Sequence, residues 1–493
     1  MARVPAQARD VAVAVLGLVA ILCAKAVFAR TSLALPLRGA GVRYATAGLE
    51  CAAYVALGVV SSRHLRFLAP RGAALVDAAL AVAVGALLVA GAVVGPSGPA
   101  SPVVAVLACA AFAAGHVWCM LLFFLAAARI ASRRSMATAL LGGVALWQTA
   151  LLGTARLTPG AASIACGALL VGSAVVLTRA ADAPLRTIAG REPLRQLATT
   201  NPGAALVPTP TFYLAVFLMA RAYSYANATV GIPHNGAPRL LATLALVALL
   251  GVALLRADRP EDRLFSAVVV LVMLGLLAVP LVTAAGGAFA AHTLFFFGST
   301  TFNVLLWLLI YGLGRRNATA MAPLLGVIGA VDLLGGLCGS GVGAVASAAA
   351  ARDAWWMQAV TLGVAAAFFA AVWLFLRSFS FSRAIQGIAQ VEMDRPGTGA
   401  PASDAGAATL ADVCARIARE AELTPRETEV FLLLARGRNA GFIMSELHIK
   451  RNTVKAHTAH VYAKIGVHSQ QELLTLVQGD APVVATGVAG RAS

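Results

Sequence analysis

Mainly apolar runs, each about as long as a bilayer is thick, fill the first 376 positions of the chain. They lie at about 11–29, 41–60, 74–95, 103–128, 136–155, 161–178, 211–231, 238–255, 264–285, 290–313, 319–345 and 353–376. About 20 apolar residues in a helix cross a hydrocarbon core. The pattern therefore predicts twelve transmembrane helices. Charged and turn-forming residues collect between the runs. Gly95-Pro96-Ser97-Gly98-Pro99 separates the third from the fourth. The connection over 179–210 holds Pro184, Pro193, Pro202, Pro208 and Pro210 and divides the runs six and six.

The period changes after residue 409. Leu410, Val413, Cys414, Ile417 and Ala421 recur at helical spacing on one face. Thr424 then reads as an N-cap, Pro425 as the first helical residue and Glu427 as the partner that completes a capping box. Val430, Phe431, Leu433 and Leu434 supply the buried side, and Gly437 the left-handed stop. A short helix over about 440–447 follows, with Phe442, Ile443 and Leu447 inward. His448-Ile449-Lys450 is a turn. The next helix runs from about Asn452 to Ile465, packed through Val454, Val461, Tyr462 and Ile465, and stops at Gly466. Ser469 to Glu472 form a second capping box, which opens a fourth helix with Leu473, Leu474 and Leu476.

Composition sharpens this picture. The chain of 493 residues is 60% hydrophobic and 12% charged, with a mean hydropathy of +0.83. Soluble domains are about a quarter charged, so the class is all-α: a polytopic membrane bundle with a soluble appendage. The expected organisation is a membrane domain over 1–377, a juxtamembrane segment and linker over 378–408, a helical domain over 409–479 and a disordered tail over 480–493. The run at 11–29 has no small-residue cleavage site after it and reads as a first span.

The net charge of +17 suggests nucleic acid only at first sight. Lys25, Lys450, Lys455 and Lys464 are the lysines; the other basic residues are arginines, mostly in short loops. With the N-terminus inside, 19 loop arginines fall on the cytoplasmic side and 6 outside, which is the orienting bias of a membrane protein. An even number of spans returns the C-terminal domain to the cytoplasm of a bacterial inner membrane. Between 410 and 480 there are nine basic and eight acidic residues, a difference of +1. DNA binding there would rest on the local cluster Lys450, Arg451, Lys455 and Lys464. Seven cysteines without a CxxC pair predict neither a metal site nor a disulfide framework. No paired carboxylates, phosphate loop or nucleophile elbow points to an enzyme or to a cofactor.

Leu423-Thr424-Pro425-Arg426-Glu427, Thr453-Val454-Lys455-Ala456-His457 and Lys464-Ile465-Gly466-Val467 stand at the spacing of the LuxR-type transcriptional regulators, which residues 423–477 resemble closely. The resemblance implies a helix-turn-helix whose third helix enters the major groove of promoter DNA. Lys455 and Ala456 would face base edges; Thr453, His457 and Lys464 would face phosphates. Lys450, Arg451, Asn452, Ala459 and His460 complete the expected DNA-binding set. Lys455 suits guanine O6/N7, and Ala456 suits a thymine methyl. Ala459 offers no polar base contact, and Phe442 replaces an acidic residue common in the second helix. Modest discrimination per monomer follows, and with it a need for a homodimer or repeated half-sites. An activator would also engage RNA polymerase.

The six-plus-six pattern resembles the major facilitator architecture. The loop Ser62-Arg63-His64-Leu65-Arg66 lacks the Gly/Asp framework usual between its second and third spans. The whole chain resembles a group of twelve-span LuxR-type regulators thought to respond to small metabolites and to induce catabolic genes. A small-molecule ligand in the membrane domain is thereby implied. Ionisable residues within spans are candidates for its site. Arg221 and Asp332, each near mid-span, suggest a pair that a charged ligand breaks or bridges, or else a structural ion pair. Lys25 and Glu50 read as a structural pair, and Asp77 as reaching the interface. Glu50, Trp147, Gln148, Arg221, Tyr225, Asn303 and Asp332 are the candidate ligand-binding residues. His116, Trp118, Trp307 and Tyr311 also interrupt apolar runs; such residues suit a pocket, an aromatic belt or interhelical hydrogen bonds.

Overall fold

The apolar runs fold as helices, and proline and short polar side chains mark where they begin. The computed structural model describes residues 6–28, 30–31, 40–64, 66–95, 97–98, 100–154, 156–189, 210–229, 236–256, 261–285, 288–316, 318–351, 353–376, 410–435, 440–447, 451–467 and 470–477. The expected linker and C-terminal tail, with Gly437 and Lys450, lie outside them. The helices are α1 (Ala6–Phe28), α2 (Ala40–Arg63), α3 (Pro70–Val94), α4 (Ser101–Ala127), α5 (Arg133–Thr154), α6 (Pro159–Ala180), α7 (Asp182–Ala189), α8 (Pro210–Thr229), α9 (Gly236–Arg256), α10 (Glu261–Ala285), α11 (Ala288–Arg316), α12 (Ala318–Ala350) and α13 (Ala354–Ala371). A π-helical turn, Val372–Leu376, extends α13. Pro70 and Pro159 sit at helix starts, where a missing N–H costs nothing. Thr158 caps α6 by accepting from Ala161 N, and Asp353 caps α13 by accepting from Trp355 N at 3.0 Å.

A helix covers each of the twelve predicted spans, but among the described residues ten are long and apolar enough to cross a membrane. The two that fall short are α8 and α9. Arg221, Tyr223, Ser224, Tyr225 and Asn227 lower the hydropathy of α8, and α9 offers only the shorter apolar stretch Leu240–Leu255. α4 is buried on every side from Gly115 to Ala127 and forms the interior of the first half.

Several helices join the two halves of the bundle, α12 most extensively. α12 lies against α2 of the first half and α8 of the second. Its contact points are glycines. A Cβ on Gly335 would come within 2.4 Å of the Phe217 carbonyl, and one on Gly339 within 2.1 Å of the Arg221 carbonyl. Toward α2, a Cβ on Gly326 would meet Gly58 N at 2.5 Å. Without hydrophobic drive inside lipid, such small-residue contacts let helices gain dispersion by close approach. The end of the bundle that carries Arg129 to Arg134 is tied by polar contacts. Arg133 Nη2 lies 2.5 Å from Glu261 Oε1, Tyr311 donates to the Ile130 carbonyl at 2.7 Å, and Arg315 donates to the Ala131 carbonyl at 2.6 Å.

The chain divides into two compact units, Met1–Asp394 and Arg395–Ser493. The second contains α14 (Leu410–Glu420), α15 (Pro425–Ala435), α16 (Ala440–Leu447), α17 (Arg451–Ile465) and α18 (Gln470–Val477). It has its own apolar core, centred on Phe431, Val430, Ile443, Val461 and Leu473, all fully buried.

Candidate functional site

Two faces of α17 divide its labour. Val454 and Val461 are buried against α15 and α16, while Asn452, Thr453, Lys455, Ala456, Ala459 and His460 are exposed and His457 is half-buried. Lys455 and Ala456 each stand three or four residues from both Asn452 and Ala459, so the four form one outward stripe. Among the described residues Lys455 makes no ion pair. The two alanines keep the stripe low, which lets a helix approach another surface closely. Arg451 opens α17, and its side chain lies outside the described residues, as does Lys450. Gly466 ends the helix at φ 78°, and both Gly466 N and Val467 N donate to the Tyr462 carbonyl.

The segment Thr424–Glu427 holds this helix in place. Thr424 N donates to Glu427 Oε2 at 2.9 Å, and Glu427 N donates to Thr424 Oγ1 at 3.3 Å, the reciprocal bonds of a capping box. The same carboxylate then reaches α17: Lys464 Nζ donates to Glu427 Oε2 at 2.8 Å, and His460 Nδ1 lies 3.6 Å from Oε1. Lys464 also donates to the Glu422 carbonyl at 3.0 Å. Glu422 itself is left-handed, φ 47°, at the end of α14. The Lys464 bond first, and the Thr424 N–H after it, hold the Glu427 carboxyl down to about 2. Arg426 pairs with Glu429 and donates to the Leu447 carbonyl at 2.7 Å, which caps α16 at the turn before α17.

Lys464 is therefore engaged inside the domain as well as partly exposed. The roles of Arg426 and of Glu427 beyond its cap were not legible in the sequence, because their partners stand 21 and 37 positions away.

Residues 421–477 match the family model of the bacterial regulatory proteins, luxR family. They form a LuxR-type helix-turn-helix domain. Within that domain α17 is the third helix, and the stripe of Asn452, Lys455, Ala456 and Ala459 lies on its exposed face. No curated protein matches the chain. Among solved structures, the human organic anion transporter MFSD10 (TETRAN) is similar at 13% identity with a TM-score of 0.54, over 76% of this chain and 100% of that one. The part of the chain outside the LuxR-type domain is accordingly major-facilitator-like in fold.

Within that bundle the structure rearranges the expected polar partners. No ion pair joins Arg221 to Asp332. The glycines of α12 bring it against Tyr54 and Gly58 of α2, and Asp332, one turn beyond Gly329, faces the charges of Lys25 and Glu50. Lys25 Nζ does pair with Glu50 Oε2 at 2.8 Å, as the sequence suggested, and His116 Nδ1 stands 3.5 Å from Glu50 Oε1. Asp77 is buried, and it accepts from Trp118 Nε1 at 2.8 Å. Tyr225 is fully buried with its hydroxyl 2.6 Å from Thr361 Oγ1, so it ties α8 to α13. Among the described residues Trp147 Nε1 and Gln148 Nε2, on α5, have no hydrogen-bond partner, and Asn303 on α11 is half-buried. A small apolar cavity of about 40 Å³ between α1, α3, α4 and α6 is lined by Phe28, Phe112 and Cys166 among others, and by none of the candidate ligand residues. Among the described residues no group of His, Cys, Asp and Glu is placed to hold a metal.

Proposed function

We propose that the protein is a membrane-bound one-component transcriptional regulator: a small molecule sensed by the bundle controls DNA binding by the LuxR-type domain. The observation that carries this reading is the exposed stripe Asn452, Lys455, Ala456 and Ala459 on a helix whose opposite face is packed. A LuxR-type reader needs an input, and the chain ahead of it is almost entirely the major-facilitator-like bundle. In a bacterial inner membrane with both termini cytoplasmic, the arginine bias and the position of the reader agree. Ligand binding would favour one packing of the bundle over another and so change the dimerisation or promoter access of the reader. Lys455 and Ala456 would read base edges; Arg451, Thr453 and His457 would contact phosphates. RNA polymerase is the further partner if the protein activates.

The test maps chromosomal binding sites of the full-length protein in its host and measures the neighbouring transcripts. Lys455→Ala should abolish site occupancy and leave the protein in the membrane fraction. Undiminished occupancy by that variant overturns the DNA assignment. Asp332→Asn should alter the transcriptional response to the inducing conditions while the full-length protein stays in the membrane fraction and still occupies its sites. The likeness to a transporter fold supports an alternative, a facilitator-like carrier with a regulatory tail. That reading requires a labelled solute to accumulate in vesicles and the accumulation to fail in Arg221→Ala.

A further inference from the structure

Three helices bring ionisable groups into contact within the bundle, and a fourth adds a half-buried carboxylate near them. Lys25 comes from α1, Glu50 and Tyr54 from α2, His116 from α4 and Asp332 from α12. Glu50 is 1% exposed and His116 5%, while the Lys25 side chain is 46% exposed. Lys25 satisfies one oxygen of Glu50. The other, Oε1, is sealed from solvent and, among the described residues, has no hydrogen-bond partner, and the same holds for His116 Nδ1, 3.5 Å away.

The charges do not balance. Glu50 and Asp332 carry two negative charges when ionised, Lys25 carries one positive, and neutral His116 and Tyr54 add none. A residual negative charge inside a bundle is expensive, as is an unsatisfied carboxylate oxygen beside it. One positive charge corrects both faults. A larger cation has no room, because neither Glu50 Oε1 nor His116 Nδ1 reaches a free surface. A proton needs none. Phe112 stacks on the His116 ring at 5.8 Å and on Phe28 at 4.2 Å, which fixes the imidazole where it faces Glu50.

We infer that the Lys25–Glu50–His116–Asp332 group is a proton-binding site, with the proton seated between Glu50 Oε1 and His116 Nδ1. Binding converts the group from a net charge of −1 to neutral and gives His116 two donors. Because Asp332 belongs to α12 and the other members to the first half, the protonated and deprotonated groups attract α12 differently. The inference stands apart from the regulatory reading, since it concerns the bundle alone and needs no DNA to be observed.

The experiment measures proton uptake by the full-length protein in detergent micelles, with a soluble pH indicator, and infrared difference spectra across the same pH steps. The wild type should take up one proton with imidazole and carboxyl band changes. His116→Gln and Glu50→Gln should each lose it. Lys25→Met, which removes a repelling positive charge, should move the uptake to higher pH; Asp332→Asn, which removes an attracting negative charge, should move it to lower pH. Each shift should be about 1 pH unit or more. Monodisperse elution shows which variants are folded. Uptake unchanged in a folded His116→Gln overturns the proposal, as do shifts of the two charge variants in the same direction. If His116→Gln does not fold, the wild type decides alone: a titration without an imidazole band overturns the site.

Discussion

Lys464 Nζ lies 2.8 Å from Glu427 Oε2, and this bond fastens the last turn of α17 to the first turn of α15. A lysine on a DNA-reading helix is ordinarily counted toward the phosphates. Here its ammonium also holds the Glu422 carbonyl, so its charge serves the fold. Lys464→Met should leave the salt dependence of DNA binding unchanged, whereas loss of a true phosphate contact lowers that slope by about 1. Lys464→Met and Glu427→Gln should each lower the melting temperature of residues 395–493, and the double variant should lose less than the two single losses together. Additive losses would mean that the bond does not couple the helices.

Acid should release the same fastening. Glu427 is held down to about 2 in the folded domain, against an ordinary 4.5 in the unfolded chain. Its contribution to stability is therefore fully present above about 4.5 and is lost as pH falls toward about 2. Thermal melts of residues 395–493 between neutral pH and pH of about 2 should show this fall, and Glu427→Gln should flatten that part of the profile.

Lys455→Ala should weaken binding at the cognate site by about 1–3 kcal/mol, roughly 5–150-fold. The loss should be smaller on unrelated DNA if Lys455 reads a base, and equal on both if it contacts only phosphate. Fluorescence anisotropy with the two duplexes separates the cases.

Phe431 is fully buried at the centre of the reader. Phe431→Ala should cost about 3–5 kcal/mol, a large part of the stability of so small a unit. Circular dichroism of that variant should show substantial unfolding. Glu422→Gly should act in the opposite direction, because it removes a side chain from a left-handed position, and should stabilise by up to about 1 kcal/mol.

Gly339→Ala should destabilise the bundle by about 1–3 kcal/mol, since its Cβ would come within 2.1 Å of the Arg221 carbonyl. Gly341, two positions on, has open space, and Gly341→Ala should be neutral or stabilising. Melting of the two full-length variants in detergent checks the contrast.

What could be read ahead of the structure was local. Thr424 and Glu427 are three residues apart, so their capping box is visible as a spacing; Gly466 stands where a helix must stop and takes φ 78°. The apolar runs became helices for the same reason, since length and hydropathy are properties of one segment. What could not be read was the partner of each polar side chain. Arg221 and Asp332 share a depth within their spans, yet the glycines of α12 turn Asp332 toward Lys25 and Glu50. His116 looked like one of many polar interruptions, and only the meeting of α1, α2 and α4 sets it beside Glu50. Asp77 reads from the sequence as reaching the interface, and its bond to Trp118, 41 residues away, is visible only in the fold.

The glycine contacts of α12 have a mechanical consequence. Interlocked side chains must change rotamer before two helices can slide, and that repacking is a barrier. Gly326, Gly335 and Gly339 offer backbone to backbone, with no side chain of α12 to unlock at those points. At these three points α12 could shift along its neighbours without a rotamer change of its own, whereas movement away from them would forfeit the close backbone contact.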